Sequence, residues 1–158
     1  MSSILTARLA AAFALTEGLA EVMTDDSLAL HNGSAPSNSI DGQFWCVVGA
    51  RESYARAIAA GTWSGFSCSL SASDAQRADK VRAALERSRT NVLDAISGCE
   101  PTDHRDTIAF SLLEHETLHH GQLVRYFYAN GIRFPQSFAE RYALAQPTAS
   151  DRVRRPPA

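Results

Sequence analysis

Four stretches of apolar residues recur at three- and four-residue steps, and each is closed by a helix-stopping turn; this constrains the chain to a helical fold. Leu5, Leu9, Ala12, Phe13, Leu19, Ala20 and Met23 mark the first, from Ser3 to about Met23, which Thr24-Asp25-Asp26 is expected to close. Ile40, Phe44, Val47, Ala50, Tyr54 and Ile58 mark the second, capped by Asn38 or Ser39 and stopped at Gly61. The third opens on the capping box Ser71-Ala72-Ser73-Asp74, buries Ala78, Val81, Leu85, Val92 and Ile96, and ends at Ser97-Gly98. Thr102 or Asp103 caps the fourth, which runs to Asn130-Gly131. Beyond Pro135, a further capping box, Ser137-Phe138-Ala139-Glu140, opens a short helix to about Leu144, and Phe134, Phe138 and Tyr142 can pack it back.

No stretch alternates convincingly as a strand. The expectation is an all-α fold: a four-helix bundle, most simply antiparallel, with a short extra C-terminal helix. The loop after the second helix, Gly61–Leu70, also permits a crossover, and its Trp63 and Phe66 suit a segment that folds over something. Residues 1–145 read as one domain. The tail 146–158, with three prolines, Arg152, Arg154 and Arg155 and no apolar period, is expected to be disordered.

With 15 Lys+Arg against 17 Asp+Glu the chain is close to neutral, which points away from nucleic acid and anionic membranes and toward a small molecule or a protein as partner. Cys46, Cys68 and Cys99 are an odd number at unrelated spacings, as in a reducing cytoplasm. The apolar run Leu9–Leu15 has no basic stretch before it and continues into a helical pattern, so neither a signal peptide nor a membrane span is expected.

Chemistry concentrates in Glu114-His115-Glu116-Thr117-Leu118-His119-His120-Gly121-Gln122-Leu123, three of the five histidines in six residues. Residues four apart stack on one helix face, so His115 and His119 can aim at a common point, whereas His120 lies well round from them. Both fall with Ile108, Leu112, Leu123 and Tyr126 at the border of the apolar side. Two stacked imidazoles repel if both are charged; a shared divalent metal holds both neutral. The alternative is two core-edge histidines hydrogen-bonded to their neighbours. His120 reads as a helix contact or a support for the ligands. Glu116 reads either as a surface glutamate or as a base beside the site, and Gln122 as an amide donor to substrate or as a packing residue.

The run Leu113–Leu144, with His115-x-x-x-His119-His120-Gly121-Gln122-Leu123, Asn130-Gly131-Ile132 and Pro135, resembles the DinB/YfiT-like superfamily of small helical-bundle proteins. Ser39–Val47 is similar to that family's second helix, where a further histidine completes a three-histidine metal site. Here Cys46 stands at that place. The resemblance implies one of two things: a Cys46–His115–His119 site with a fourth position open, or a decayed site in which Cys46 is a small buried hydrophobe. His31, in the preceding loop, is a replacement candidate.

What the resemblance implies about function is a metal-dependent enzyme, a hydrolase or a thiol-dependent S-transferase or isomerase. Zinc is the first choice of metal and nickel or iron the others; the substrate is a small molecule, with a low-molecular-weight thiol as a candidate. Glu116 and Gln122 would be its catalytic residues and the Gly61–Leu70 loop a lid. The rival expectation is a metal-free scaffold or binding protein, a homodimer with Trp45, Phe127, Tyr128 and Phe138 as interface aromatics.

Overall fold

The computed structural model describes residues 3–33 and 35–148. The tail expectation for 149–158 lies outside them. Within the described part the chain is all-α: α1 (Ser3–Glu21), α2 (Asp25–Leu28), α3 (Ile40–Ala60), α4 (Ala78–Ser97), α5 (Asp103–Asn130) and α6 (Gln136–Tyr142).

The stops act as the residue types dictate. Gly61 and Gly131 close α3 and α5 in the left-handed conformation, at φ 73° and 64°, where a side chain would be strained. Thr102 Oγ1 caps α5 by accepting the Arg105 N–H at 3.2 Å.

Three local expectations are corrected. Thr24-Asp25-Asp26 does not simply end α1 but opens α2, because Thr24 and Ser27 exchange side-chain and backbone bonds in a reciprocal cap. The Ser71–Asp74 box caps only a single 3-10 turn, Asp74–Gln76; extended Arg77 then breaks the path, and α4 starts at Ala78 with its N–H donating to Asp25 Oδ1 at 2.8 Å. No side chain caps α6, and Glu140 accepts from the Gln136 amide instead.

Four long helices pack in a ring, α3 on α4 and α5, and α1 on the same two. Their directions follow from the two apolar clusters. One gathers Leu19 of α1, Phe44 and Val47 of α3, Leu85 of α4, and Leu123 and Phe127 of α5. The other gathers Leu9 and Phe13, Ile58, Val92 and Ile96, and Ala109 and Leu112. Hence α1 and α5 run from the second cluster to the first, while α3 and α4 both run the opposite way. The simple antiparallel order is overturned in favour of the crossover.

The connection 61–77 makes that crossover by retracing α3. Ser67 N–H donates to Ser53 Oγ at 3.0 Å, Ser69 N–H to Glu52 Oε2 at 2.8 Å, and Trp45 Nε1 to the Leu70 carbonyl at 2.9 Å. Phe66 packs on Trp45 and Trp63 on Tyr54, with ring centroids 5.3 and 4.9 Å apart. A Cβ at Gly49 would lie 2.3 Å from Phe66 Cζ and 2.9 Å from Cys68 Cβ, so the loop approaches α3 as only a glycine permits.

Between the apolar clusters every long helix contributes buried polar groups, among them Thr16, Arg51, Ser88, Glu116 and His120. They form a polar layer across the middle of the ring.

Two further expectations change. α1 is, by length and composition, apolar enough to cross a membrane, contrary to the expectation that no segment is. In this fold it is a packing helix, with Leu9, Phe13, Thr16 and Leu19 fully buried. Phe127 and Phe138 are also fully buried, because α6 folds Phe134 and Phe138 against Phe127, and they cannot serve as interface aromatics. Gln146, the start of the expected tail, is held by both its amide groups to the Phe134 backbone.

Candidate metal centre

Cys46 sits in the first half of α3 and His115 and His119 in the middle of α5, and the antiparallel contact of these helices brings the three together. Cys46 Sγ lies 3.6 Å from His115 Nε2. The two imidazole centroids are 4.6 Å apart with their planes inclined at 56°. One donor atom from each residue falls within 4.8 Å of the others.

The sulfur–nitrogen distance fits a metal. Zinc bonds of about 2.3 Å to sulfur and about 2.0–2.1 Å to nitrogen, at a tetrahedral angle, put the two donor atoms about 3.6 Å apart. Cys46, His115 and His119 can therefore hold a metal ion. A thiolate and two imidazoles form a borderline-soft donor set suited to a divalent transition metal.

The ring of His119 is also oriented. Its Nδ1–H donates to Gln43 Oε1 at 2.8 Å, which leaves Nε2 as the ligand atom. The Gln43 amide in turn reaches Tyr126 Oη at 3.4 Å, and that hydroxyl donates to the Asn38 carbonyl at 2.5 Å. His115 Nδ1 is buried without a protein partner.

Burial sets the protonation states. It lowers the pKa of His115, and takes His119 down to about 4 with help from the neighbouring His115. It pushes the Cys46 thiol up. At neutral pH the rings are ready to ligate and only the thiol has a proton to lose.

His120 turns away from the cluster, as helical spacing requires. The Thr16 hydroxyl proton goes to Glu116 Oε1, so His120 Nε2, 2.7 Å from Thr16 Oγ1, is the donor there. His120 Nδ1 then accepts the Tyr142 hydroxyl at 2.7 Å. His31 is exposed and donates to the Ser37 carbonyl at 3.2 Å; it does not join the cluster.

Glu116 is corrected on both counts. It is 0 % exposed rather than a surface residue. Its oxygens are engaged by Arg51, at 2.6 and 3.2 Å, and by Thr16, so it is an ion-pair partner in the core and not a base at the cluster. Gln122 lies half-buried one turn beyond His119, with Oε1 buried and without a protein partner. The Gly61–Leu70 loop is anchored along α3, and none of the contacts described above ties it to His115 or His119; the lid expectation gains no support.

No family model, curated protein or solved structure matches the chain. Gln43, Thr16 and Arg51 are the residues that sequence reasoning missed. Arg51 had a visible signal, a charge following the apolar run Val47-Val48-Gly49-Ala50. Gln43 stands three residues before Cys46 and hence on its face of α3, a relation that mattered only once His119 was placed opposite.

A cleft of about 620 Å³ has Gln43 and Gln122 in its wall but none of Cys46, His115 and His119, and meets the cluster only through Gln43, which accepts from His119. A larger groove, about 760 Å³, lies between α3 and α4 around Arg56 and Asp94 and contains none of the cluster residues.

Proposed function

We propose that this chain is a DinB/YfiT-like four-helix bundle and a metal-dependent enzyme, a hydrolase or a thiol S-transferase or isomerase. In this reading Cys46, His115 and His119 carry a divalent metal, with zinc preferred over nickel or iron. The observation that supports it is the convergence of three donor atoms from two helices within 4.8 Å of one another, the Cys46–His115 pair at tetrahedral spacing, with His119 held by Gln43 in the tautomer a ligand needs.

Cys46, His115 and His119 would hold the divalent metal, which when bound would lower the pKa of a water or a substrate thiol and so supply a nucleophile at neutral pH. The chain's own residues do the rest. Gln43 fixes the His119 ring, and the Arg51–Glu116 pair locks α3 against α5 beside the ligands. The neighbouring cleft admits a small-molecule substrate, with a low-molecular-weight thiol as one candidate.

The test is elemental analysis of purified, tag-free protein, repeated on Cys46→Ala and His119→Ala. Near-stoichiometric metal that disappears in both variants supports the centre. Protein that stays empty after zinc is added near neutral pH refutes it and leaves the metal-free scaffold.

A further inference from the structure

Two hollows of about 620 and 410 Å³ lie on the outer seam between α1 and α5, and because they share Arg8 and Leu113 they form one groove. It follows α5 from Thr107 to Thr117, about 15 Å at the helical rise per residue. One half is walled by Ile4, Leu5 and Phe110; the other has alanines of α1 for a floor and is closed by α6. Ile4 and Phe110 are 76 % and 53 % exposed, so a continuous apolar strip faces solvent where a ligand or partner would ordinarily cover it.

The two ends differ in charge. Asp106 stands at the first. At the other, Arg141 and Arg8 flank Tyr142, and neither arginine makes an ion pair among the described residues. Burial raises the Tyr142 pKa while the charges of Arg141 and Arg8 act against it, as two guanidinium groups within electrostatic reach of one hydroxyl should. Tyr142 is itself fixed, its hydroxyl donating to His120 Nδ1 at 2.7 Å.

We propose that this groove binds a medium-chain aliphatic carboxylate, the chain lying along Phe110, Leu5 and Ile4 and the carboxylate held between Arg141 and Arg8. A long apolar run with both free cations at one end matches an amphiphile with a single terminal charge, and Asp106 at the other end sets its direction. A planar carboxylate suits the guanidinium fork. The Ser137 hydroxyl is the one further side-chain donor that α6 brings to the head, since the Tyr142 proton is already given to His120; that serves two carboxylate oxygens better than the three of a phosphate. Phe110, Leu113 and Thr117 lie across α5 from His115 and His119, and no cluster residue lines the groove, so binding here does not depend on the metal centre.

Decanoate, below the concentration at which it aggregates, is titrated calorimetrically into full-length protein, beside decan-1-ol, which keeps the chain, and acetate, which keeps the charge. The expected result is saturation at one equivalent of decanoate, binding at least about tenfold weaker for decan-1-ol, equivalent to about 1.4 kcal/mol, and none for acetate. Arg141→Gln and Phe110→Asp, both at exposed positions, should each weaken decanoate binding by a similar factor. Cys46→Ala should bind decanoate as wild type does, which keeps this test apart from that of the metal.

Decanoate that does not saturate, decan-1-ol or acetate that binds as tightly, or an affinity unchanged in both Arg141→Gln and Arg8→Gln overturns the proposal. Tighter binding of decyl phosphate overturns the carboxylate head. A dimer in light scattering that Phe110→Asp disperses, in protein that takes up no decanoate, overturns it in favour of a second copy of the chain on this face.

Discussion

Arg51 of α3 and Glu116 of α5 meet in the middle of the protein with both side chains at 0 % exposure, through Nη2–Oε1 and Nε–Oε2 contacts of 2.6 and 3.2 Å. The guanidinium also bonds the Leu85 carbonyl at 3.1 Å and lies over the Phe13 ring at 4.3 Å, so one side chain touches all four long helices. Burial pushes the Glu116 carboxyl up, but the charge and hydrogen bonds of Arg51 outweigh it and hold the carboxyl below the usual range. The pair is ionised and fixes the register of the two helices that carry Cys46, His115 and His119.

Breaking the pair from either side leaves a buried charge without its partner. Arg51→Met and Glu116→Leu should each lower the unfolding free energy by about 3–5 kcal/mol, read from urea midpoints. The double variant should lose less than the sum, because neither charge then remains. Additive losses would show that the two residues act separately.

Gly49→Ala tests the crossover. The new Cβ meets Cys68 Cβ near the loop backbone, and turning Phe66 aside does not relieve that contact. A loss of about 1–3 kcal/mol is expected, with faster proteolysis between Gly61 and Leu70 than in wild type. Unchanged proteolysis would mean that the loop does not lie against α3.

The buried histidines give metal-free protein a distinctive acid response. His115, His119 and His120 all have folded-state pKa values lowered by burial, so their contribution is complete above the unfolded value near 6.5 and is lost as pH falls toward the folded value, about 4 for His119. Unfolding free energy should therefore fall between about pH 7 and 4, by about 3 kcal/mol from His119 alone. His119→Gln should flatten that part of the curve. A wild-type profile that is level across this range would contradict the neutral, buried rings.

Gln43→Leu removes the acceptor for His119 Nδ1–H while nearly keeping the side-chain volume. Zinc affinity, measured by chelator competition, should drop about 10–100-fold with the fold retained. An unaltered affinity would mean that Gln43 does not orient the ring.

Much of the helical architecture can be read from the sequence because it depends on local chemistry: Gly61, Gly131 and Thr102 stop or cap helices where their residue types require. The topology is not local. Whether α4 runs with or against α3 depends on where 61–77 goes, and that was settled by Ser53, Glu52 and Gly49 receiving the loop. For the same reason the Ser71–Asp74 box misled: its bonds form, but the helix waits for Asp25 from another segment. At the site, the stacking of His115 and His119 follows from a spacing of four. The burial of Glu116 does not, because a glutamate is placed inside only when an Arg51 from a distant helix arrives to meet it.

The donor set itself is tested most directly by cobalt(II), which reports both geometry and sulfur ligation. Metal-free protein is titrated with cobalt(II) near neutral pH and its absorption spectrum recorded, alongside Cys46→Ser. The expected result is an intense visible band of a tetrahedral centre, with a near-ultraviolet thiolate-to-cobalt charge-transfer band that reaches its limit at one equivalent and is lost in Cys46→Ser. A spectrum without the charge-transfer band, or one that is the same in the variant, would contradict a metal held by Cys46, His115 and His119.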